Sequence, residues 1–242
     1  MLKKIRINFI MKIIFNNIRN KLKLKITKYN KVILRRLNIK KEEFKKYETL
    51  KKIKDKFNLY LIMDIDFEYL GLSYHYMRNE GLLYLNNIEF TEVKILTLNC
   101  NLFSDITVLK NVNLRALETL ELEDNQISDI SVLEYVNFKN LKRLNLDGNH
   151  ISDITVLENV NFKKLEVLNL RCNHISDISV LEKANFKELK KLILSYNLIS
   201  DIKLFEKLKF KKLKMLCLLC NKLNYPSQIE AYLKSKLEHF CY

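Results

Sequence analysis

The sequence predicts an α/β solenoid, a stack of short coils that each contribute one strand. Three observations predict it. From Val93 to Asn224 one unit recurs six times at a 24-residue period, the last copy cut short. Within each unit leucines alternate with polar residues at a period of two, the pattern of a half-buried strand. An asparagine returns once per unit, just after that alternation. The copies beginning at Leu117 and Leu141 agree at 15 of 24 positions, and those beginning at Leu141 and Leu165 at 16. A unit this short cannot bury its apolar face alone, so its neighbours must supply the core.

Each column of the repeat has a physical role. Leu120 and Leu122 alternate with Thr119, Glu121 and Glu123, so one face points inward and the other to solvent. Asn101, Asn125, Asn149, Asn173, Asn197 and Asn221 follow the strands. An amide both donates and accepts, so this column suits the backbone groups left exposed where the chain turns inward. Asp105, Asp129, Asp153, Asp177 and Asp201 stand where a short convex helix or 3₁₀ turn should begin, as N-caps. One carboxylate per coil is too sparse for a calcium shell of about six to eight oxygens. Phe90, Leu114, Phe138, Phe162, Phe186 and Phe210 form an apolar column ahead of each strand, a spine between coils.

The run L-x-x-L-x-L-x-x-N followed by I-S-D-I-x-x-L, written by residues 117–133 as LETLELEDNQISDISVL, resembles the short-repeat class of leucine-rich repeats. That class includes bacterial internalins and eukaryotic phosphatase regulators. The resemblance spans residues 93–224 and implies a leucine-rich-repeat horseshoe with a parallel sheet on its concave side, a surface that in this class binds proteins. Here each coil carries two residues beyond the usual length of about 22, in the Val-Asn-Phe-Lys stretch, which should alter curvature.

Four segments follow: a basic helical module over 1–60, a degenerate first repeat over 61–92, the repeats over 93–224 and a C-terminal cap over 225–242. In the degenerate repeat Leu70, Leu72, Leu85, Ile88 and Phe90 fall near the expected columns, with two extra residues and without the turn asparagine. Tyr225-Pro226-Ser227 ends the repeats, and Gln228–Phe240 reads as a closing helix. End coils need caps because their apolar faces otherwise meet water.

No catalytic or metal site is expected, and no cofactor. The chain has no phosphate-cradling glycine loop, no G-x-S-x-G and no H-E-x-x-H. Cys217 and Cys220 have C-x-x-C spacing, but a zinc site would need His239 and Cys241 as its second pair. Cys100, Cys172 and Cys220 share a column two or three coils apart, beyond the reach of a disulfide. His150 and His174 read as stacked polar surface. With no secretory signal among the first residues and no run of 18 apolar residues, reduced thiols and a cytoplasmic or nuclear location are expected.

Function should therefore reside on the exposed strand positions. The candidate partner-binding residues are Glu121, Glu123, Arg143, Asn145, Asn169, Arg171, Lys191, Ile193, Tyr196 and Met215. The face reads as graded. Glu118, Glu121, Glu123 and Asp124 make an acidic coil; Arg143, Arg171, Lys190 and Lys191 make the next ones basic; Ile193, Tyr196, Met215 and Leu219 make the last two apolar. Complementary charge selects partners and apolar anchors add affinity. The expectation is a non-enzymatic scaffold for an unidentified protein.

The charge is lopsided. Residues 1–60 hold 20 Lys or Arg against 4 acidic residues, while the rest hold 23 against 24. Leu2–Ile18 has helical spacing, with Ile5, Phe9 and Ile13 at its core, and Glu42–Phe57 reads as another charged helix. The module admits four readings. It is a solvated N-terminal cap, or a mitochondrial presequence, or an electrostatic tether to nucleic acid or anionic membrane. Or it is an adaptor: Ile13-Ile14-Phe15-Asn16-Asn17-Ile18, then Leu22, Leu24 and Ile26, resembles an F-box, which would imply docking to a Skp1-type adaptor of a ubiquitin ligase. The Leu-Pro opening and late Trp of that family are absent. Salt separates the last two readings. An electrostatic tether should lose on the order of a hundredfold in affinity for DNA or acidic vesicles between low and physiological salt. A Skp1 complex should be salt-insensitive and lost in Phe15→Ala.

Overall fold

The computed structural model describes residues 69–73, 78–87, 93–207, 210–223 and 227–242. The helices expected over 1–60, and Ile88, Phe90 and Pro226, lie outside the described residues. Among those described, eight short strands form one parallel sheet in chain order. They are β1 (Tyr69–Gly71), β2 (Ile95–Thr97), β3 (Thr119–Glu121), β4 (Arg143–Asn145), β5 (Val167–Asn169), β6 (Lys191–Ile193), β7 (Met215–Cys217) and β8 (His239–Cys241). The register advances by one repeat per strand, so Leu96, Leu120, Leu144, Leu168, Leu192 and Leu216 stack in a buried row. Leu70 heads this row opposite Leu96, so the degenerate first coil keeps register despite its extra residues.

The convex side is built of single 3₁₀ turns: η1 (Leu83–Asn87), η2 (Thr107–Asn111), η3 (Ser131–Glu134), η4 (Thr155–Glu158), η5 (Ser179–Glu182) and η6 (Lys203–Glu206). The first coil adds a short helix, α1 (Asn79–Leu82), ahead of η1. The repeated aspartates start the turns η2 to η6, but one place earlier than an N-cap. The cap position itself is an isoleucine, as at Ile130 and Ile154. That side chain is buried in the core, so the polar acceptor moves back one residue. Each aspartate Oδ1 instead accepts the N–H two residues on, at 2.7 Å for Asp129 and 2.8 Å for Asp177, closing an Asx turn. These backbone N–H groups hold the carboxyls of Asp105, Asp153 and Asp177 below the ordinary aspartate value.

Between sheet and turns the spine is present. Leu114, Phe138, Phe162, Phe186 and Phe210 are buried. The rings of Phe138 and Phe162 stack with centroids 6.5 Å apart, and those of Phe186 and Phe210 lie 6.0 Å apart and tilted.

The asparagine column forms a continuous ladder. Asn149 Nδ2 lies 3.0 Å from the carbonyl of Leu122 in the preceding coil, and 3.1 Å from those of Leu146 and Asp147 in its own. Its Oδ1 accepts the Ile127 N–H, again from the preceding coil, at 3.0 Å. Asn125, Asn173, Asn197 and Asn221 repeat the pattern. The residue just before each asparagine is left-handed: Cys100, Asp124, Gly148, Cys172, Tyr196 and Cys220 have φ of 54, 52, 64, 50, 58 and 55°. Only one of the six is glycine, which is why this backbone feature is hard to read in the sequence.

The C-terminal cap differs from expectation. The closing helix, α2 (Ser227–Lys236), is shorter than residues 228–240, and the chain then adds β8 against β7. His239, Phe240 and Cys241 sit 24 residues after Met215, Leu216 and Cys217. The helix therefore takes the place of a convex turn, beside η6, within a seventh full coil.

The ladder makes a ranked prediction. Asn149→Ala leaves the buried Ile127 N–H without its acceptor and takes one of two amide donors from each of the Leu122 and Leu146 carbonyls, and should cost about 2 kcal/mol or more. Asp153→Ala, at an exposed turn, should cost about 1 kcal/mol. Urea melts of the two variants check the order; equal losses would refute the ladder as the dominant polar contact.

Candidate protein-binding face

Strands this short leave three outward rows on the sheet: one before the buried leucine, one after it, and one two residues further on. The register places Arg143 opposite Val167, Glu121 opposite Asn145, and Asn169 opposite Ile193. Neighbouring strands lie about 4.8 Å apart, so unlike side chains in one row meet across coils.

The middle of the face is one hydrogen-bonded network. Glu121 accepts Arg143 Nε at 2.6 Å and Asn145 Nδ2 at 2.7 Å. Asn145 Nδ2 also lies 3.1 Å from Glu123 Oε2. In the next coils Asp147 Oδ2 accepts Arg171 Nη1 at 3.4 Å and Asn169 Nδ2 at 3.5 Å. The Arg171 guanidinium sits 4.7 Å from the centre of the Tyr196 ring. Seven expected site residues thus meet: Glu121, Glu123, Arg143, Asn145, Asn169, Arg171 and Tyr196. Asp147, absent from the candidates, joins them. It is the residue two beyond Asn145 on the same face, so the period-two rule alone would have found it.

Two expectations are corrected. Asn145 and Asn169 are not exposed; they are 2% and 8% accessible. Longer charged neighbours bond across them, so they act as bridges beneath the surface. Nor, Lys191 apart, do the coils after the acidic one present free positive charge among the described residues. Arg143 is paired with Glu121 and Arg171 with Asp147. At the sheet margin Lys142 meets Glu118 at 2.8 Å and Lys190 meets Glu166 at 2.7 Å. Opposite charges one repeat apart in sequence are stacked into contact, which the linear grading of charge could not convey. Lys191 is exposed and makes no ion pair among the described residues.

Glu123 is the electrostatically strained member. Burial, then the carboxylates of Asp147 and Asp124, push its carboxyl above the ordinary glutamate range, against the Asn145 amide that favours its charge.

The ends of the face are apolar. Ile193 and Met215 are half-buried, and α2 packs beside η6 and β8. Tyr196 is 46% exposed and Leu219 42%. At the opposite end Tyr69 and Ile95 are exposed. The Tyr69 ring lies over Gly71, where a Cβ would meet it at 2.8 Å, and its hydroxyl is 3.2 Å from Thr97 Oγ1. Tyr69, in register opposite Ile95, is an exposed residue of the same face that was not among the candidates.

The two histidines, His150 and His174, stack with centroids 5.6 Å apart and are exposed. Among the described residues, no group of three or more Cys, His, Asp or Glu is placed to hold a metal ion.

Residues 115–159 and 139–183 match the family model described as "Leucine Rich repeats (2 copies)". The chain is similar to an internalin, inlF, of Listeria monocytogenes, with 27% identity over 66% of this chain and 50% of that one, at a TM-score of 0.51. It therefore spans half the length of that protein. Internalin C2 of the same organism is similar at 26% identity over 66% of this chain and 72% of that one, at a TM-score of 0.48. No curated protein matches at a significant level. The matched coils read as leucine-rich repeats, the sheet is that of a leucine-rich-repeat solenoid, and the coils are similar to those of an internalin.

The raised Glu123 carboxyl yields a pH-dependent prediction. Its charged form destabilises the fold, so the unfavourable contribution of Glu123 shrinks as pH falls through its folded value and it takes up a proton. Glu123→Gln keeps an acceptor for Asn145 and removes the charge. It should raise the Tm at neutral pH, and the difference should vanish below the ordinary glutamate value of 4.5. A lower Tm for the variant at neutral pH would overturn this account.

Proposed function

We propose that the solenoid is a non-enzymatic scaffold that binds a protein partner on the outer face of its sheet, anchored at the C-terminal end by Tyr196. One observation carries this reading. Tyr196 is half-exposed, stacked on Arg171, and held at φ 58°. A left-handed conformation costs a residue with a Cβ about 1–2 kcal/mol. Glycine serves the same place at Gly148 without that cost. An aromatic ring kept at an unfavourable backbone position and left half-exposed suits contact better than folding.

Around it the chemistry is that of an interface core. Tyr and Arg are enriched among residues that dominate binding energy. Leu219, Ile193 and Met215 supply apolar area beside the pair, and Lys191 an unpaired charge at its margin. The central ion pairs are already satisfied and add selectivity more than affinity. The resemblance to protein-binding leucine-rich repeats supports the same reading, as does the lack of any recognisable catalytic motif. A cytoplasmic or nuclear setting is part of the proposal. No helix among the described residues is long and apolar enough to cross a membrane.

The test separates contact from stability. Tyr196→Gly removes the ring and relieves the left-handed backbone together. Its Tm should stay level or rise, while affinity for a partner captured by the wild-type chain should fall roughly thirtyfold or more, the loss typical of a dominant interface residue. A variant that binds as well as wild type would remove Tyr196 from the interface.

A further inference from the structure

Five cysteines are reduced in this structure, and two of them stand apart. Cys217 on β7 and Cys241 on β8 are register partners on adjacent parallel strands. Their sulfurs are 2.9 Å apart, closer than two unbonded sulfurs ordinarily rest. Cys100, Cys172 and Cys220 occupy the left-handed column before the asparagines and are separated from one another by two or three coils. In sequence Cys217 and Cys241 suggest at most two ligands of a zinc site. Their separation of one repeat is what brings them together.

We propose that Cys217 and Cys241 form a reversible disulfide, made by exchange with a low-molecular-weight disulfide such as glutathione disulfide, that staples β8 to the sheet. The geometry needs little change. Opposed residues of adjacent strands lie about 4.8 Å apart, inside the Cα range that disulfides span. Rotation about the two Cα–Cβ bonds closes the remaining gap.

The environments of the thiols order the steps. Cys241 is half-exposed, whereas Cys217 is 8% accessible. Burial, with the Cys241 sulfur beside it, pushes the Cys217 thiol up to about 12, so Cys241 is the first nucleophile. Its thiolate attacks one sulfur of glutathione disulfide; the S–S bond breaks and one glutathione leaves as its thiolate. Cys217 then gives its proton to solvent and attacks Cys241 Sγ, and the second glutathione leaves with the electron pair. The two protein thiols lose two protons and two electrons, and the oxidant takes them up to become two glutathione thiols. Once Cys241 is in the mixed disulfide it no longer raises the Cys217 thiol by its proton or charge, which eases the second step.

The consequence is mechanical. β8 pairs with β7 and returns from it through α2. A bond between residues 217 and 241 closes the whole segment into a ring, restricting its unfolded states. The end of the face that carries Met215, Leu219 and Tyr196 would then be held by a covalent cap.

Full-length protein in glutathione buffers of increasing oxidised fraction tests this by non-reducing peptide mapping. A linked peptide joining Cys217 to Cys241, lighter by two hydrogens and split by dithiothreitol, is expected in wild type and in Cys220→Ser. Proteolytic release of the segment after Cys217 should slow roughly tenfold or more on oxidation, and not in Cys241→Ser. Glutathione left on Cys241 with no link, or a link that uses Cys220 instead, would overturn the proposal. The wild-type map decides this even if Cys217→Ser fails to fold.

Discussion

Everything in this solenoid depends on pairing the backbone at the inward turn. Where each strand ends, the chain dives toward the convex side and buries amides and carbonyls away from water. Such groups cost stability unless paired. Asparagine meets the need with donors and an acceptor on one short stem. Asn149 reaches back to both the Leu122 carbonyl and the Ile127 N–H. Each asparagine thus ties its coil to the one before it, so no coil completes its hydrogen bonding without a neighbour. This is the polar counterpart of the leucine stack, and together they make stability a property of adjacent coils.

The same periodicity that satisfies the backbone also organises the surface charge. A 24-residue step brings Glu118 against Lys142, Glu166 against Lys190 and Lys214 against Glu238 along one margin of the sheet. Exposed pairs of this kind add little stability. Their effect is to neutralise the margin. A partner must displace existing ion pairs to use those charges, whereas the exposed rings and aliphatic groups at the ends of the face are available at once.

Tyr196 shows how a local cost and a surface property are linked. Its column must be left-handed to aim the following asparagine into the ladder, whatever residue fills it. Gly148 fits with least strain, and it also lets Asp124 approach, since a Cβ there would meet Asp124 Oδ1 at 2.3 Å. Tyr196 accepts the strain and directs its ring outward over Arg171. The column is one where the backbone tolerates variety, so side chains there are free to differ from coil to coil.

The repeat itself was legible from residues alone: the strand positions, the asparagine ladder, the aromatic spine and the parallel register all follow from period two inside period 24. They were legible because each is imposed by a local need repeated in every coil. The final strand was missed, although His239-Phe240-Cys241 stands one repeat after Met215-Leu216-Cys217, because its leucine column holds Phe240 and helical spacing upstream masked it. Ten face residues were identified, yet their roles were not. That Asn145 and Asn169 lie beneath a network, that Arg143 and Arg171 are neutralised, and that two thiols touch were decided only by tertiary stacking. Sequence orders side chains along the chain, but burial and charge pairing depend on which residues stand a strand's width away in the next coil.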